Sequence, residues 1–265
     1  MDDSPFRLSQ LDAVAFLQAM PPESVDLLIT DPAYESLEKH RKVGTTTRLK
    51  VSDGSSNAWF DIFPNTRFPE FFAACFRVLK KNSHFYMYCD DETAYVVKPI
   101  AEAAGFKYWK RLVWDKLKIG MGYHYRARCE YIMFFEKGKR KLINLGMPDV
   151  FDLKEDPEGY RLECARILNG YPTEKPVMVS EKLIVQSSLP GELVVDPFMG
   201  SASVGEASLK HGRRFWGSDI SDASIAVATK RLTALTDYSK LQTQENFVDI
   251  LPALKGGDSE GSPGG

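Results

Sequence analysis

The residues Asp31-Pro32-Ala33-Tyr34 combine a carboxylate, a proline turn and an aromatic ring directly after the apolar run at residues 25–30. Such a run predicts a buried strand, and α/β enzymes place their chemistry where these strands end. A carboxylate accepts hydrogen bonds from an amine, and an aromatic face stacks on a planar ring, such as an extruded nucleobase. Taken alone, however, the tetrapeptide is better explained as a simple turn.

A second segment changes this interpretation. Residues 194–203 read as another buried strand that ends in Asp196, followed by a loop of small residues and a helical run. Gly200 has no side chain to block a ligand, so the loop can present backbone amides to a nucleotide-type cofactor. The two strand ends can share one cleft.

These blocks, in this order, resemble the β-group of amino-methyltransferases that act on DNA, in which a catalytic Asp-Pro-Pro-Tyr precedes an Asp-Pro-Phe-x-Gly-Ser-Gly cofactor loop. Residues 173–176 are similar to the family's Thr-x-Lys-Pro segment, and residues 215–220 to its second cofactor strand. The resemblance covers nearly the whole chain. It implies an α/β fold of the Rossmann-like class I methyltransferase type, with a mostly parallel seven-stranded sheet and helices on both faces.

The chain departs from the family pattern at two positions. Ala33 replaces the usual second proline, which matters little if its role is a backbone carbonyl. Ala202 replaces the second glycine of the cofactor loop. A side chain there predicts that the loop avoids positive φ at this residue.

The resemblance implies S-adenosyl-L-methionine as the cofactor. Asp219 would accept the ribose hydroxyls, unless it only starts a helix in place of Ser221 or Asp222. Asp12 would receive the adenine amine, and Thr173 could bind the cofactor, cap a helix, or do both. The predicted cofactor residues are Asp12, Ala13, Asp31, Thr173, Lys175, Pro176, Asp196, Phe198, Gly200, Ser201 and Asp219. The chain has neither the Gly-x-Gly-x-x-Gly turn of a dehydrogenase nor a P-loop.

The catalytic residues are predicted to be Asp31, Pro32 and Tyr34. Asp31 and the Pro32 carbonyl can accept both N–H groups of an exocyclic amine and stabilise the charge that builds on its nitrogen, while Tyr34 stacks on the base. By resemblance, the aspartate favours adenine N6 as the methyl acceptor. Cytosine N4 is the alternative, and an RNA substrate or a catalytically silent scaffold that binds DNA or a partner stays open.

The formal net charge of −2 conceals two basic clusters. Residues 107–141 hold eleven Lys or Arg against three Asp or Glu, and residues 39–50 hold five against none. Although charge runs usually form solvated surfaces, the interleaved aromatic residues favour contact with double-stranded DNA. The candidates for this contact are Lys39, Arg41, Lys42, Arg48, Lys116, Lys118, Tyr123, His124, Tyr125, Arg126 and Arg128.

The chain reads as one methyltransferase domain over residues 1–254, followed by a disordered tail at 255–265. Residues 35–66 predict a mobile, DNA-contacting loop, and residues 137–172 a short target-recognition insertion. Because this insertion is short, the loop 35–66, the basic hairpin 116–128 and the second subunit of a homodimer are expected to complete recognition. The family also implies a cognate restriction endonuclease as a partner.

The predicted helices cover residues 12–20, 68–80, 92–104, 175–188, 203–211 and 221–236. The predicted strands cover residues 25–30, 84–89, 108–115, 130–136, 192–196 and 214–220.

Composition narrows the class of protein. At 43% hydrophobic and 26% charged residues, the chain can bury a substantial core. No segment approaches the roughly 20 apolar residues of a membrane span, which predicts a cytoplasmic enzyme, associated with the nucleoid through DNA, and no membrane partner. The four cysteines, Cys75, Cys89, Cys129 and Cys164, are widely spaced and predict reduced packing residues with no metal site.

Overall fold

The apolar run Val25–Thr30 forms a fully buried strand, and the sheet extends from it on both sides. The computed structural model describes residues 4–37, 61–120, 124–152, 167–168, 171–172 and 174–237. Most of the predicted loop 35–66, much of the predicted insertion 137–172 and the whole predicted tail 255–265 lie outside these residues.

The described strands, numbered along the chain, form one eight-stranded sheet in the order β1-β10-β9-β2-β3-β5-β4-β6, and a separate β7-β8 hairpin. Their bounds are β1 Phe6–Ser9, β2 Val25–Thr30, β3 Leu79–Cys89, β4 Lys107–Asp115, β5 Cys129–Lys137, β6 Val150–Phe151, β7 Ile167–Leu168, β8 Tyr171–Pro172, β9 Leu193–Asp196 and β10 Arg214–Ser218.

Strand β2 lies at the centre, with β9 on one side and β3 on the other, both parallel to it. Within the described sheet only β5 runs against its neighbours, since it is antiparallel to β3 and β4. Ligands of open α/β sheets bind beyond the carboxyl ends of the parallel strands. Because β5 is reversed, its first residues lie at that same edge.

Helices cover both faces of the sheet. On one face α1 (Ala13–Ala19), α2 (Phe68–Val78) and α3 (Asp91–Ala103) pack into a phenylalanine-rich core. On the other, α4 (Val177–Ser187), α5 (Ser203–Lys210) and α6 (residues 222–237) pack into a second core. The predicted mostly parallel sheet between helical layers is confirmed; β6, a two-residue edge strand, is the eighth member.

Several boundaries differ from the predictions. Helix α2 ends at Val78, before the predicted Lys80, because Leu79 already pairs with Val25 in the sheet. Strand β3 therefore begins at Leu79, five residues before the predicted His84. Strand β1 was not predicted; its four residues pair with β10 at the edge of the sheet.

The described cysteines are free thiols, and Cys75 and Cys89 are buried in the core. Cys164 lies outside the described residues. In the part of the chain that the structure covers, no helix combines the length and the apolar character needed to cross a membrane. The same residues contain no group of three or more His, Cys, Asp or Glu side chains placed to hold a metal ion.

Candidate active site

A cleft of about 740 Å³ opens at the edge of the sheet where β2, β9 and β10 end and β5 begins. It brings together the predicted catalytic segment and the predicted cofactor loop. The predicted site residues that line it are Asp12, Ala13, Asp31, Pro32, Tyr34, Lys175, Asp196, Phe198, Gly200, Ser201 and Asp219. Pro176 is buried and is the N-cap of α4, and it is not among the residues that line the cleft. Thr173 falls outside the described residues.

Lys175 connects Asp31 to a carboxylate that the sequence did not single out. Its Nζ lies 2.5 Å from Asp31 Oδ2 and 3.4 Å from Glu130 Oε2. Glu130 also accepts a hydrogen bond from Lys116 Nζ at 3.1 Å. Lys175 was predicted to bind the cofactor, and here it forms an ion pair with the predicted catalytic aspartate.

Burial and charge set the protonation of these groups. Removal from water raises the pKa of Asp31, and the neighbouring Lys175 ammonium only partly opposes this. For Lys175, burial lowers the pKa, but the two carboxylates outweigh burial and raise it well above its usual value. For Glu130, burial raises the pKa, but Lys175 and Lys116 leave it lowered. Lys175 and Glu130 are therefore charged at neutral pH.

The segment that follows Asp31 is held by the residues that lead into α2. Phe63 N–H donates to the Ala33 carbonyl at 2.7 Å. The Glu35 carboxylate accepts from Asn65, at 2.7 Å from the backbone amide and 3.1 Å from the side chain. Tyr34 lies between these two braces and packs partly buried against the core. Burial raises the pKa of its hydroxyl, so Tyr34 is neutral.

The predicted cofactor loop turns sharply at Gly200, whose φ is +48°. A Cβ there would lie 3.1 Å from the Tyr171 hydroxyl, a tight contact, so both space and conformation favour glycine. Asp219 braces the loop: one carboxylate oxygen accepts from Gly200 N–H at 3.1 Å and the other from Ser221 N–H at 2.9 Å. Each oxygen can accept a further hydrogen bond from a ligand.

The expectation that the loop avoids positive φ at Ala202 is wrong. Ala202 adopts the left-handed conformation, with φ +59° and ψ +40°, immediately before α5. Its N–H donates to the Met199 carbonyl at 2.7 Å, and its carbonyl accepts from Glu206 N–H at 2.9 Å. The tight turn between β9 and α5 thus demands this conformation, at a cost of about 1–2 kcal/mol for a residue with a Cβ.

Asp196 connects the ends of β9 and β2. Its Oδ1 accepts from the Thr30 hydroxyl at 2.9 Å and from Phe198 N–H at 3.0 Å. The side chain is almost fully buried, and no cation pairs with it among the described residues. Burial raises the pKa of Asp196 to about 7, against the opposing effect of these two hydrogen bonds.

Asp12 caps α1 through hydrogen bonds from Val14 and Ala15 N–H. It also receives two hydrogen bonds from the Arg67 guanidinium, at 2.7 and 2.9 Å, which lower the pKa of its carboxyl group. Arg67 in turn lies 5.0 Å from the ring centre of Phe63. The aspartate predicted to bind adenine is therefore fixed and ionised at the rim of the cleft.

The predicted DNA-contacting residues divide into three groups. The loop between β4 and β5 exposes five of them: Lys118, His124, Tyr125, Arg126 and Arg128. Lys116 instead points toward Glu130, and Arg128 pairs with Asp115. The remaining predicted residues, Lys39, Arg41, Lys42, Arg48 and Tyr123, lie outside the described residues.

Sequence reasoning missed several residues that line the cleft. Glu130 is hidden in a strand-like run, and the reversal of β5 is what brings it to the site. Arg67 immediately precedes α2, and the sequence pattern of that helix indicated only core packing. Glu174, almost fully buried, pairs with Arg231 at 2.7 Å, and Arg231 also donates to Ser201. Of these, Glu174 lay within the segment 173–176 that resembles the family's Thr-x-Lys-Pro.

Comparison with known proteins gives four consistent matches. Residues 25–230 match the N6/N4 family described as DNA methylase. The DNA adenine methyltransferase YhdJ of Escherichia coli K12 is 28% identical over 257 residues, covering 86% of this chain and 83% of YhdJ. The Type II methyltransferase M2.DpnII of Streptococcus pneumoniae is 26% identical, covering 84% and 88% of the two chains. The crystal structure of the M1.HpyAVI–SAM complex superposes with a TM-score of 0.59 at 20% identity, covering 86% of this chain and 100% of the other.

Proposed function

The chain belongs to the N6/N4 DNA methylase family, and we propose that it transfers a methyl group from S-adenosyl-L-methionine to the N6 amine of adenine in double-stranded DNA. One observation carries this proposal: Asp31 and the Gly200 loop, from neighbouring strands β2 and β9, face the same cleft. An acceptor held at Asp31 therefore lies beside a methyl donor held by the loop.

The cleft fits S-adenosylmethionine, which supplies an electrophilic methyl group on a sulfonium sulfur. Gly200 leaves the loop backbone open to close approach, and Asp219 retains acceptor capacity for ribose hydroxyls. Asp12, fixed by Arg67, is an ionised acceptor for the adenine amine of the cofactor. Phe63 and Phe198, whose ring centres are 5.1 Å apart, add an apolar wall for the adenosine.

Asp31 and the Pro32 carbonyl make the target amine nucleophilic. The lone pair of an exocyclic amine is delocalised into its ring, so the amine is a poor nucleophile until its N–H groups are held out of the ring plane. Accepting both N–H groups localises the lone pair, and the carboxylate stabilises the positive charge that grows on nitrogen. When bound, S-adenosylmethionine would supply the methyl group while its sulfur kept the electron pair of the broken S–C bond, and the methylated nitrogen would give up one proton to water in the open cleft.

Tyr34 supports the extruded base. Flipping a base out of a duplex costs a few kcal/mol, and stacking on an aromatic ring returns about 1–3 kcal/mol. The braces at Ala33 and Glu35 hold Tyr34 in place, which limits the entropy lost when the base arrives. Phosphate contacts must supply the remainder.

Adenine is favoured over cytosine by the aspartate at the head of the tetrapeptide and by the similarity to an adenine-specific relative. Cytosine N4 is the second candidate, because the family covers both amines and both need the same activation. The exposed loop 124–128 and the segment 35–66 are the proposed DNA contacts, with residues 137–172 as target-recognition insertion in a single domain over 1–254. A homodimer, a cognate restriction endonuclease and a nucleoid location complete the proposal.

The test is nucleoside mass spectrometry of unmethylated DNA incubated with S-adenosylmethionine and either the wild type or Asp31→Ala. We expect N6-methyladenine from the wild type alone, with cofactor affinity by calorimetry nearly unchanged in the variant. N4-methylcytosine would overturn the base assignment and keep the mechanism. No methylated base on diverse DNA would refute the proposal and favour an RNA substrate or a silent scaffold.

A further inference from the structure

Glu130 is a partly buried, ionised group at the site for which the amine activation described above has no use. It is the second residue of β5 and lines the cleft that holds Asp31. Its two oxygens are divided between two lysines: Oε1 takes Lys116 at 3.1 Å, and Oε2 lies 3.4 Å from Lys175. The longer of these contacts is the informative one, because it leaves room for Lys175 to move closer.

Lys175 lies against the carboxylate that the target amine must approach. Its Nζ is 2.5 Å from Asp31 Oδ2, so the ammonium takes up one of the two carboxylate oxygens, and its positive charge opposes the charge that grows on the amine. A lysine removed altogether would leave two carboxylates facing each other in a recess, which raises the pKa of one of them. If Lys175 instead shifts its contact from Asp31 to Glu130, the amine gains access to Asp31, and a positive charge still separates the two carboxylates.

The charged and titratable groups around Asp31 come from several elements. Those that act on Asp31, or on which it acts, are Lys175, Glu130, Tyr34, Tyr88, Asp196, Tyr171 and Cys89. Within this set Lys175 is the one cation, and Glu130 is its second carboxylate partner. Tyr88 offers its ring face 5.4 Å from Lys175 Nζ.

We propose that Glu130 is a positioning residue that draws the Lys175 ammonium away from Asp31 when the target amine binds, so that Asp31 is both unoccupied and ionised for the reaction. This inference rests on the proposed methyl transfer. The positive charge of Lys175 keeps Asp31 ionised. Glu130 sets the distance between the Lys175 ammonium and Asp31. Lys116 holds the other oxygen of Glu130 and so fixes its direction.

A purely structural Glu130 makes a different prediction. If it only anchors the β4–β5 loop through Lys116, its removal damages the site whether or not Lys175 is present. In our proposal the sign of the effect depends on Lys175. With the lysine present, Glu130 helps; without it, Glu130 is a negative charge near Asp31 that Lys116 alone offsets, and it does harm.

The experiment is a double-mutant cycle of Glu130→Gln and Lys175→Met, with single-turnover methylation measured from about pH 5 to about pH 9. We expect Glu130→Gln to slow the wild type about 10- to 100-fold. In the Lys175→Met background, the same change should raise the rate and move the acid limb of the profile to lower pH, by about one pH unit. Glu102→Gln, which removes a surface carboxylate outside the cleft, is the matched control.

Equal slowing by Glu130→Gln in both backgrounds would show that Glu130 is structural, and no slowing in the wild type would equally overturn the proposal. Thermal melting checks that each variant folds, and Lys175→Gln replaces Lys175→Met if the latter does not.

A second readout separates this inference from the proposed function. Carboxyl-carbon NMR of aspartate-labelled protein, with Asp31→Asn for assignment, measures the pKa of Asp31 without any substrate. It should rise in Lys175→Met and fall again in the double variant. If the wild type methylates nothing, the proposed function fails, but this titration still decides the coupling: an Asp31 pKa that Glu130→Gln leaves unchanged in the Lys175→Met background refutes it.

Discussion

Replacing Asp196 by asparagine should remove a pH-dependent weakness from the folded protein. Both hydrogen bonds to this side chain, from Thr30 and from Phe198, end on Oδ1, and an asparagine oxygen can accept both. The substitution thus keeps the link between β2 and β9 while it removes a carboxyl group whose folded-state pKa is about 7.

The direction of this pH dependence follows from the pKa of Asp196 in the unfolded chain and in the folded protein. In the unfolded chain Asp196 ionises near its usual value of 3.8, but in the folded protein it holds its proton up to about pH 7. The stabilisation that protonated Asp196 contributes is fully present below pH 3.8. It is lost as the pH rises through 7, because ionisation of Asp196 then favours the unfolded chain. The loss levels off at about 4 kcal/mol, of which about 2.5 kcal/mol falls between about pH 5 and pH 8.

Urea denaturation of wild type and Asp196→Asn at several pH values, without cofactor, measures this effect. The difference in unfolding free energy cancels other titrating groups, so it should grow by about 2.5 kcal/mol in favour of the variant from about pH 5 to pH 8. Asp222→Asn, at the exposed start of α6, controls for the loss of one negative charge. A wild-type-to-variant difference that stays constant with pH would refute the reasoning.

Substitutions at three further positions, Tyr34, Gly200 and Arg67, probe the site. Tyr34→Ala should slow single-turnover methylation about 10- to 100-fold through lost stacking, whereas Tyr34→Phe should keep the rate; equal loss in both would contradict a stacking role. Gly200→Ala, at φ +48° and with its new Cβ crowded, should lower unfolding free energy by about 1–2 kcal/mol and weaken cofactor binding in calorimetry. Gly191→Ala, at φ +83° in open space, should show the backbone strain but unchanged cofactor affinity. Arg67→Met should weaken cofactor binding because Asp12 loses its two hydrogen bonds; an unaltered dissociation constant would exclude Asp12 from the cofactor site.

Much of the fold could be predicted because its central strands are buried on both faces. Residues 25–30 are apolar almost throughout, and the strand has the predicted bounds. In contrast, Lys80, Lys81 and Asn82 carry polar side chains at the exposed start of β3, so the sequence offered no strand signal there. The helix before them was extended too far for the same reason.

The site was predictable where its residues are contiguous and not where folding alone assembles them. Asp31 and Gly200 sit in motifs that follow apolar runs, and the structure places both at one cleft. Glu130 meets Lys175 only because β5 runs against its neighbours, a fact of topology that no local spacing encodes. Ala202 was mispredicted for another reason. The turn imposes a left-handed conformation that a residue with a Cβ disfavours.

The braces around the catalytic segment have a consequence for recognition. Leu37 and Asp61 both line the cleft, so the chain leaves it and returns to it at nearly the same place. The hydrogen bonds from Phe63 to Ala33 and from Asn65 to Glu35 close this stretch at its base. The position of residues 33–35 is therefore set by residues 63–65, both inside the part of the chain that the structure describes. If residues 35–66 contact DNA as proposed, we expect exchanges between these two braces to change recognition while Asp31 and Tyr34 keep their positions.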